Sequence, residues 1–142
     1  EASFEAKPVG SEHLRMAYAV MLLSVPDISF PDFKKWAHGS RYGSLGGIFD
    51  RRGYIHGLFC NRIETRPGTP DRFVVFDLIL SDALSSTMTS MMLEALANAA
   101  RLRGCDQMTV ETPARPKTGN KLVEMLANRG FVDETVRMAR RV

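Results

Sequence analysis

The run Phe73-Val74-Val75-Phe76-Asp77-Leu78-Ile79-Leu80 restricts the fold of this chain more than any other segment. Its apolar residues fall on both faces of an extended backbone, so as a strand it must be covered on both sides and lie centrally in a sheet. A hydroxyl-rich segment, Ser85-Ser86-Thr87-Met88-Thr89-Ser90, follows it. From about Ser86 to Arg103, Met88, Met92, Ala95, Ala99 and Leu102 then recur at helical spacing, and Gly104 is a good stop. Met108–Glu111 reads as another buried strand. Buried strands joined through a helix define an α/β protein.

The remaining segments complete a mixed central β-sheet flanked by helices. Residues Ser3–Val9 suit a first strand. Ser11 is the expected N-cap of a helix carrying Leu14, Ala17, Tyr18, Met21 and Leu22, and Pro26 ends it. Pro31–His38 reads as a second helix, with Phe33, Trp36 and Ala37 on one face. Gly47–Phe49 and Tyr54–Ile63 form a hairpin about the turn Asp50-Arg51-Arg52-Gly53, and Thr65–Asp71 is a loop. Asn120–Asn128 is a last helix and Thr135–Val142 a last strand. The order is β-α-α-β-β-β-α-β-α-β, in one domain spanning 1–142.

At 142 residues the chain is long enough to bury roughly two thirds of its unfolded surface. Hydrophobic residues at 44% and charged residues at 25% exclude a disordered chain. Nineteen basic against sixteen acidic residues give a charge of +3, scattered along the chain, so nucleic acid is not an expected partner. Cys60 and Cys105 lie in apolar, strand-like segments and read as buried free thiols, which favours a cytoplasmic location. The apolar run Tyr18–Leu23 is too short to span a bilayer, so no membrane is expected.

Two features invite chemistry. Asp77 interrupts a strand expected to be buried, where a carboxylate is costly unless paired and where desolvation raises its pKa towards that of a general base. A salt bridge to Arg62 accounts for it equally well. The segment Ser85–Ser90 opens a helix, whose unpaired N–H groups and dipole suit a phosphate, although such residues are also ordinary N-caps. His56 shares a strand face with Tyr54 and Leu58 and reads as a structural histidine. No His, Cys or carboxylate group has metal-ligand spacing, and no Ser/His/Asp order suggests a hydrolase.

The strand Asp77-Leu78-Ile79-Leu80, the loop Ser81–Ser90 and the helix opening Met91-Met92-Leu93-Glu94-Ala95-Leu96 together resemble the GNAT superfamily of N-acetyltransferases. The exit Arg103-Gly104-Cys105, the strand Met108–Thr112 and the ending Asn128-Arg129-Gly130-Phe131 extend the resemblance. It implies acyl transfer from acetyl-CoA to an amine, on a small molecule or a protein. The amides of Ser85, Ser86, Thr87, Met88, Thr89 and Ser90 would hold the pyrophosphate, and the main chain of Leu78, Ile79 and Leu80 would pair with pantetheine. Asn120 is a further cofactor-binding candidate, and Asp77 and Glu111 are the candidate bases. No metal is implied, and a homodimer is compatible with this reading. Arg115, Lys117 and Lys121 flank the loop that lies near the CoA in that fold.

The chain departs from the family's Q/R-x-x-G-x-G/A loop. Leu84 stands in place of the Gln or Arg, and Thr87 and Thr89 in place of the two glycines. Leu126 occupies the position of a tyrosine that often protonates the leaving thiolate. These changes motivate a rival expectation, a catalytically inactive GNAT-like binding or regulatory module.

Overall fold

A computed structural model of the chain describes residues 3–38, 44–81, 85–111, 121–132 and 140–141. The elements are β1 (Glu5–Pro8), a 3-10 turn (Ser11–His13), α1 (Leu14–Ser24), α2 (Phe30–His38), β2 (Ser44–Phe49), β3 (Ile55–Glu64), β4 (Arg72–Leu80), α3 (Ser86–Leu102), β5 (Gln107–Val110) and α4 (Lys121–Ala127). These fall into two units, Glu1–Glu111 and Thr112–Val142. The expected last strand, Thr135–Val142, lies largely outside the described residues.

In the first unit, five strands pair in chain order, β1-β2-β3-β4-β5. The first four are antiparallel and β5 runs parallel to β4, because α3 carries the chain back between them. Leu14, Ala17, Val20 and Met21 of α1 join Phe33 of α2 and Leu45, Phe49, Ile55 and Leu58 in one apolar core on one side of the sheet. On the other side α3 buries Met92, Leu93, Ala95, Leu96 and Ala100. There a Cβ on Gly57 would meet Met92, Leu80 and Ile48.

Local chemistry sets the boundaries. Pro26 disfavours a helical Val25, which takes φ −128° and ψ 82° and closes α1. Ser11 does not cap this helix: it opens the 3-10 turn, and neither it nor His13 makes a side-chain capping bond. In the β2–β3 turn, Gly53 has φ +88°, and Asp50 Oδ1 accepts from the N–H groups of Arg52 and Tyr54. Gly104, at φ +79°, ends α3, with the Cys105 N–H donating to the Ala100 carbonyl at 2.9 Å. Cys60 and Cys105 are both buried and unpaired.

In the second unit, α4 closes in the same way. Gly130 has φ +87°, and the Phe131 N–H donates to the Leu126 carbonyl at 3.1 Å.

Candidate functional site

Strand β4 changes character halfway along. Phe73, Val74 and Val75 are consecutive and all buried, as a strand covered on both faces requires. Leu58 pairs with Ile79 and Cys60 with Phe76, so β4 carries one residue more than β3 over this stretch. The surplus is a β-bulge at Asp77-Leu78, opposite Phe59. Asp77 takes φ +51°, a left-handed conformation that Asp tolerates better than most residues.

This corrects the expectation that Asp77 is buried. It is exposed, and its partner is not Arg62. The physical reason is that the bulge lifts the residue out of the pleat, which a run apolar on both sides of Asp77 does not reveal. Burial pushes the thiol of neighbouring Cys60 up to about 11, and the Asp77 charge adds to the effect.

On its other edge β4 pairs with β5 from Arg72↔Gln107 to Val75↔Val110. One further bond, from the Glu111 N–H to the Val75 carbonyl at 2.8 Å, ends the ladder. Among the described residues nothing pairs with this edge of β4 from Phe76 to Leu80. β4 and β5 are therefore parallel neighbours over the first half of β4.

Glu111 stands where that pairing ends. Its Oε1 lies 3.1 Å from Nη2 of Arg62, and the two side chains are 33% and 32% exposed. Arg62 also approaches Glu64 Oε2 at 3.8 Å, and Glu64 in turn meets Arg66 at 3.1 Å. The Arg62 guanidinium lies 5.1 Å from the centroid of the Phe76 ring. Glu111 thus faces a guanidinium instead of solvent alone. Its role in this network was not legible in the sequence, since Arg62 and Glu111 lie far apart in the chain and meet only through the order of β3, β4 and β5.

The start of α3 is an ordinary right-handed helix. Ser85 is its N-cap, and its Oγ accepts from the Met88 N–H at 3.1 Å. The Thr89 hydroxyl donates to the Ser85 carbonyl at 3.1 Å and is buried. Thr87 and Thr89 are helical, so neither is forced into the left-handed region where the family's glycines are an advantage. The N–H groups of Ser86 and Thr87 have no acceptor among the described residues, as the first turn of a helix dictates. A cavity of about 250 Å³ is lined by Leu23 and Ser24 at the end of α1 and by Leu78, Ile79 and Leu80. Leu84, Arg115, Lys117 and Asn120 lie outside the described residues, as does the side chain of Lys121.

His56 is held by partners within the fold. Its Nε2 lies 2.7 Å from Asp50 Oδ2, and its ring meets Phe4 edge-on at 5.4 Å. The hydrogen bond from His56 lowers the pKa of Asp50, reinforced by the Tyr54 and Arg52 N–H groups against the opposing effect of burial. Asp50, which clamps both turn and histidine, was visible in the sequence only as a turn residue. Among the described residues no helix is long and apolar enough to cross a membrane.

A mixed five-stranded sheet with α1 and α2 on one side, α3 on the other and a bulge in β4 is the GNAT acyl-CoA N-acyltransferase fold. No family model matches the sequence and no curated protein is similar to it. Solved structures are. Aminoglycoside N-acetyltransferase AAC(6')-Iy, in complex with CoA, is similar with a TM-score of 0.67 at 12% identity, over 99% of this chain and 95% of its own. Ribosomal-protein-alanine N-acetyltransferase from Brucella melitensis biovar Abortus 2308 gives 0.68 at 16%, over 99% of this chain and 100% of its own. A transcriptional regulator from Bacillus halodurans gives 0.68 at 12%, over 96% and 99%. At such identities the likeness is one of fold.

Proposed function

We propose that this chain is an acyl-CoA-dependent N-acyltransferase, with acetyl-CoA as donor and an amine as acceptor. The observation that carries this reading is that, among the described residues, the β5-side edge of β4 from Phe76 to Leu80 and the Ser86 and Thr87 amides at the start of α3 have no backbone partner, all within one unit. An extended amide-bearing arm adds to such an edge as a strand would, through the main chain of Leu78, Ile79 and Leu80. The Ser86 and Thr87 N–H groups and the helix dipole supply an anion site for a pyrophosphate, with Ser85, Met88, Thr89 and Ser90 shaping the turn around them. The Met88 amide is already used by the Ser85 cap, so this loop offers fewer donors than a glycine-rich one.

In the transfer, the amine nitrogen forms a bond to the thioester carbonyl carbon. The C–S bond then breaks, with its electron pair leaving on sulfur, and the nitrogen loses a proton. Glu111, at the end of the β4–β5 ladder, accepts that proton in this reading, and Asp77, in the bulge of β4, is the second candidate carboxylate. Leu126 donates no proton, and a thiolate leaves without one because its pKa is modest. The named acceptors of the similar enzymes run from an aminoglycoside to a protein alanine, so a small-molecule or a protein amine suits this fold. The two unpaired buried cysteines support a reducing, cytoplasmic setting.

Thermal unfolding with and without CoA tests the reading. A ligand at 100 times its dissociation constant stabilises the fold by about 2.7 kcal/mol, a rise of several degrees in Tm for a domain of this size. An unchanged Tm at millimolar CoA and acetyl-CoA would favour the second reading, an inactive binding or regulatory module. The internal use of the Met88 amide and the Thr89 hydroxyl is the observation on that side.

A further inference from the structure

We infer that Arg62 is a positioning residue for Glu111 in the transfer step, an inference that rests on the function proposed above. Glu111 follows the last residue of β5, and its backbone is held there by one hydrogen bond to Val75. A long carboxylate side chain at a strand end has many rotamers, and fixing one of them costs entropy. Arg62 supplies the restraint from β3, reaching past the Phe76 ring of β4 to Glu111 beyond it. Its guanidinium is itself held by that ring, by Glu64 and, through Glu64, by Arg66.

The contact is one-sided. Arg62 meets Oε1 of Glu111, and Oε2 has no partner among the described residues. One oxygen therefore anchors the carboxylate while the other keeps its lone pairs for an incoming proton. In the step, the N–C bond forms, the C–S bond breaks towards sulfur, and the proton on nitrogen passes to Oε2. Arg62 touches none of the reacting atoms and acts by holding the base in line, and a misplacement of about 1 Å can lower such a rate about 100-fold.

The experiment follows thiol release from acetyl-CoA in the presence of ethylamine, spermidine or a lysine-containing peptide. Arg62→Met is expected to lower kcat about 100-fold while KM for acetyl-CoA and Tm stay near the parent's. Arg62→Lys keeps the charge and should recover part of the loss. Glu111→Gln should lose at least as much as Arg62→Met, and the double variant no more than Glu111→Gln alone, because both act through one carboxylate. Parental kcat in Arg62→Met overturns the inference, as does a further loss in the Glu111→Gln background. Should Arg62→Met not fold, Arg62→Lys takes its place, with a loss of kcat that must vanish in that background. A parent that releases no thiol with any of these amines also overturns it, whereas a rise of Tm with CoA would leave the binding half of the proposed function standing.

Discussion

Replacing Asp77 separates backbone from charge at the bulge. An ordinary L-residue in the left-handed region loses about 1–2 kcal/mol, Asn and Asp less, and Gly nothing. At φ +51° and in an exposed position, Asp77→Asn keeps both shape and backbone preference, so its stability should match the parent within about 0.5 kcal/mol. Asp77→Gly relieves the strain but loses roughly 0.5–1 kcal/mol to the greater freedom of its unfolded chain, and should also come out near zero. Asp77→Val, branched at Cβ, should lose about 1–2 kcal/mol. Urea denaturation with linear extrapolation measures all three on one scale. A loss of 3–5 kcal/mol in Asp77→Asn is the signature of a broken buried ion pair and would refute the exposed bulge. Acyl transfer by the same variant is an independent readout. With Glu111 as base, the Asn variant should keep its rate within a few-fold, and a fall of roughly two to four orders of magnitude would assign the base to Asp77 instead.

Two further outcomes test the fold around the site. A Cβ on Gly46 would lie 2.4 Å from the buried ring of Phe59, so Gly46→Ala should cost about 1–3 kcal/mol, with Phe59→Leu restoring part of it in thermal unfolding. Asp50 is held below its ordinary pKa chiefly by the hydrogen bond from His56. Its contribution to stability is therefore complete above the unfolded carboxylate's pKa and is lost as pH falls through the lower, folded value. Urea midpoints between neutral and acid pH should fall less steeply in Asp50→Asn, which keeps the turn acceptor and loses the charge.

Much of this architecture was legible because local rules agree with one another. The apolar stripe of α3 and Gly104 behind it, the Asp50–Gly53 turn and the stop before Pro26 are each short-range physics, and each occurs where the sequence puts it. Apart from the local expectation that Ser11 caps α1, what failed was long-range. Asp77 was expected inside because its neighbours on both sides are apolar, yet the register of β3 against β4 leaves one residue over, and nothing in a continuous apolar run marks which one. Glu111 and Arg62 are candidates of different kinds in the sequence, and only the sheet order makes them a pair. Thr87 and Thr89 looked like obstacles in a loop and are instead ordinary residues of a first helical turn.

The bulge also has a consequence for phase. Upstream of it Phe76 stands opposite Cys60, and downstream Ile79 stands opposite Leu58, so even positions share the α1 side before Asp77 and odd positions after it. Asp77 is therefore an insertion that the alternation of the strand does not count. With that residue removed, Leu78 would follow Phe76 directly, and Leu78, Ile79 and Leu80 would keep the faces they have now, against Phe59, Leu58 and Gly57. One codon thus separates a strand that bends at mid-length from a straight one with the same inward-facing residues. A chain of this design could gain or lose its bend in a single step without redesigning its core.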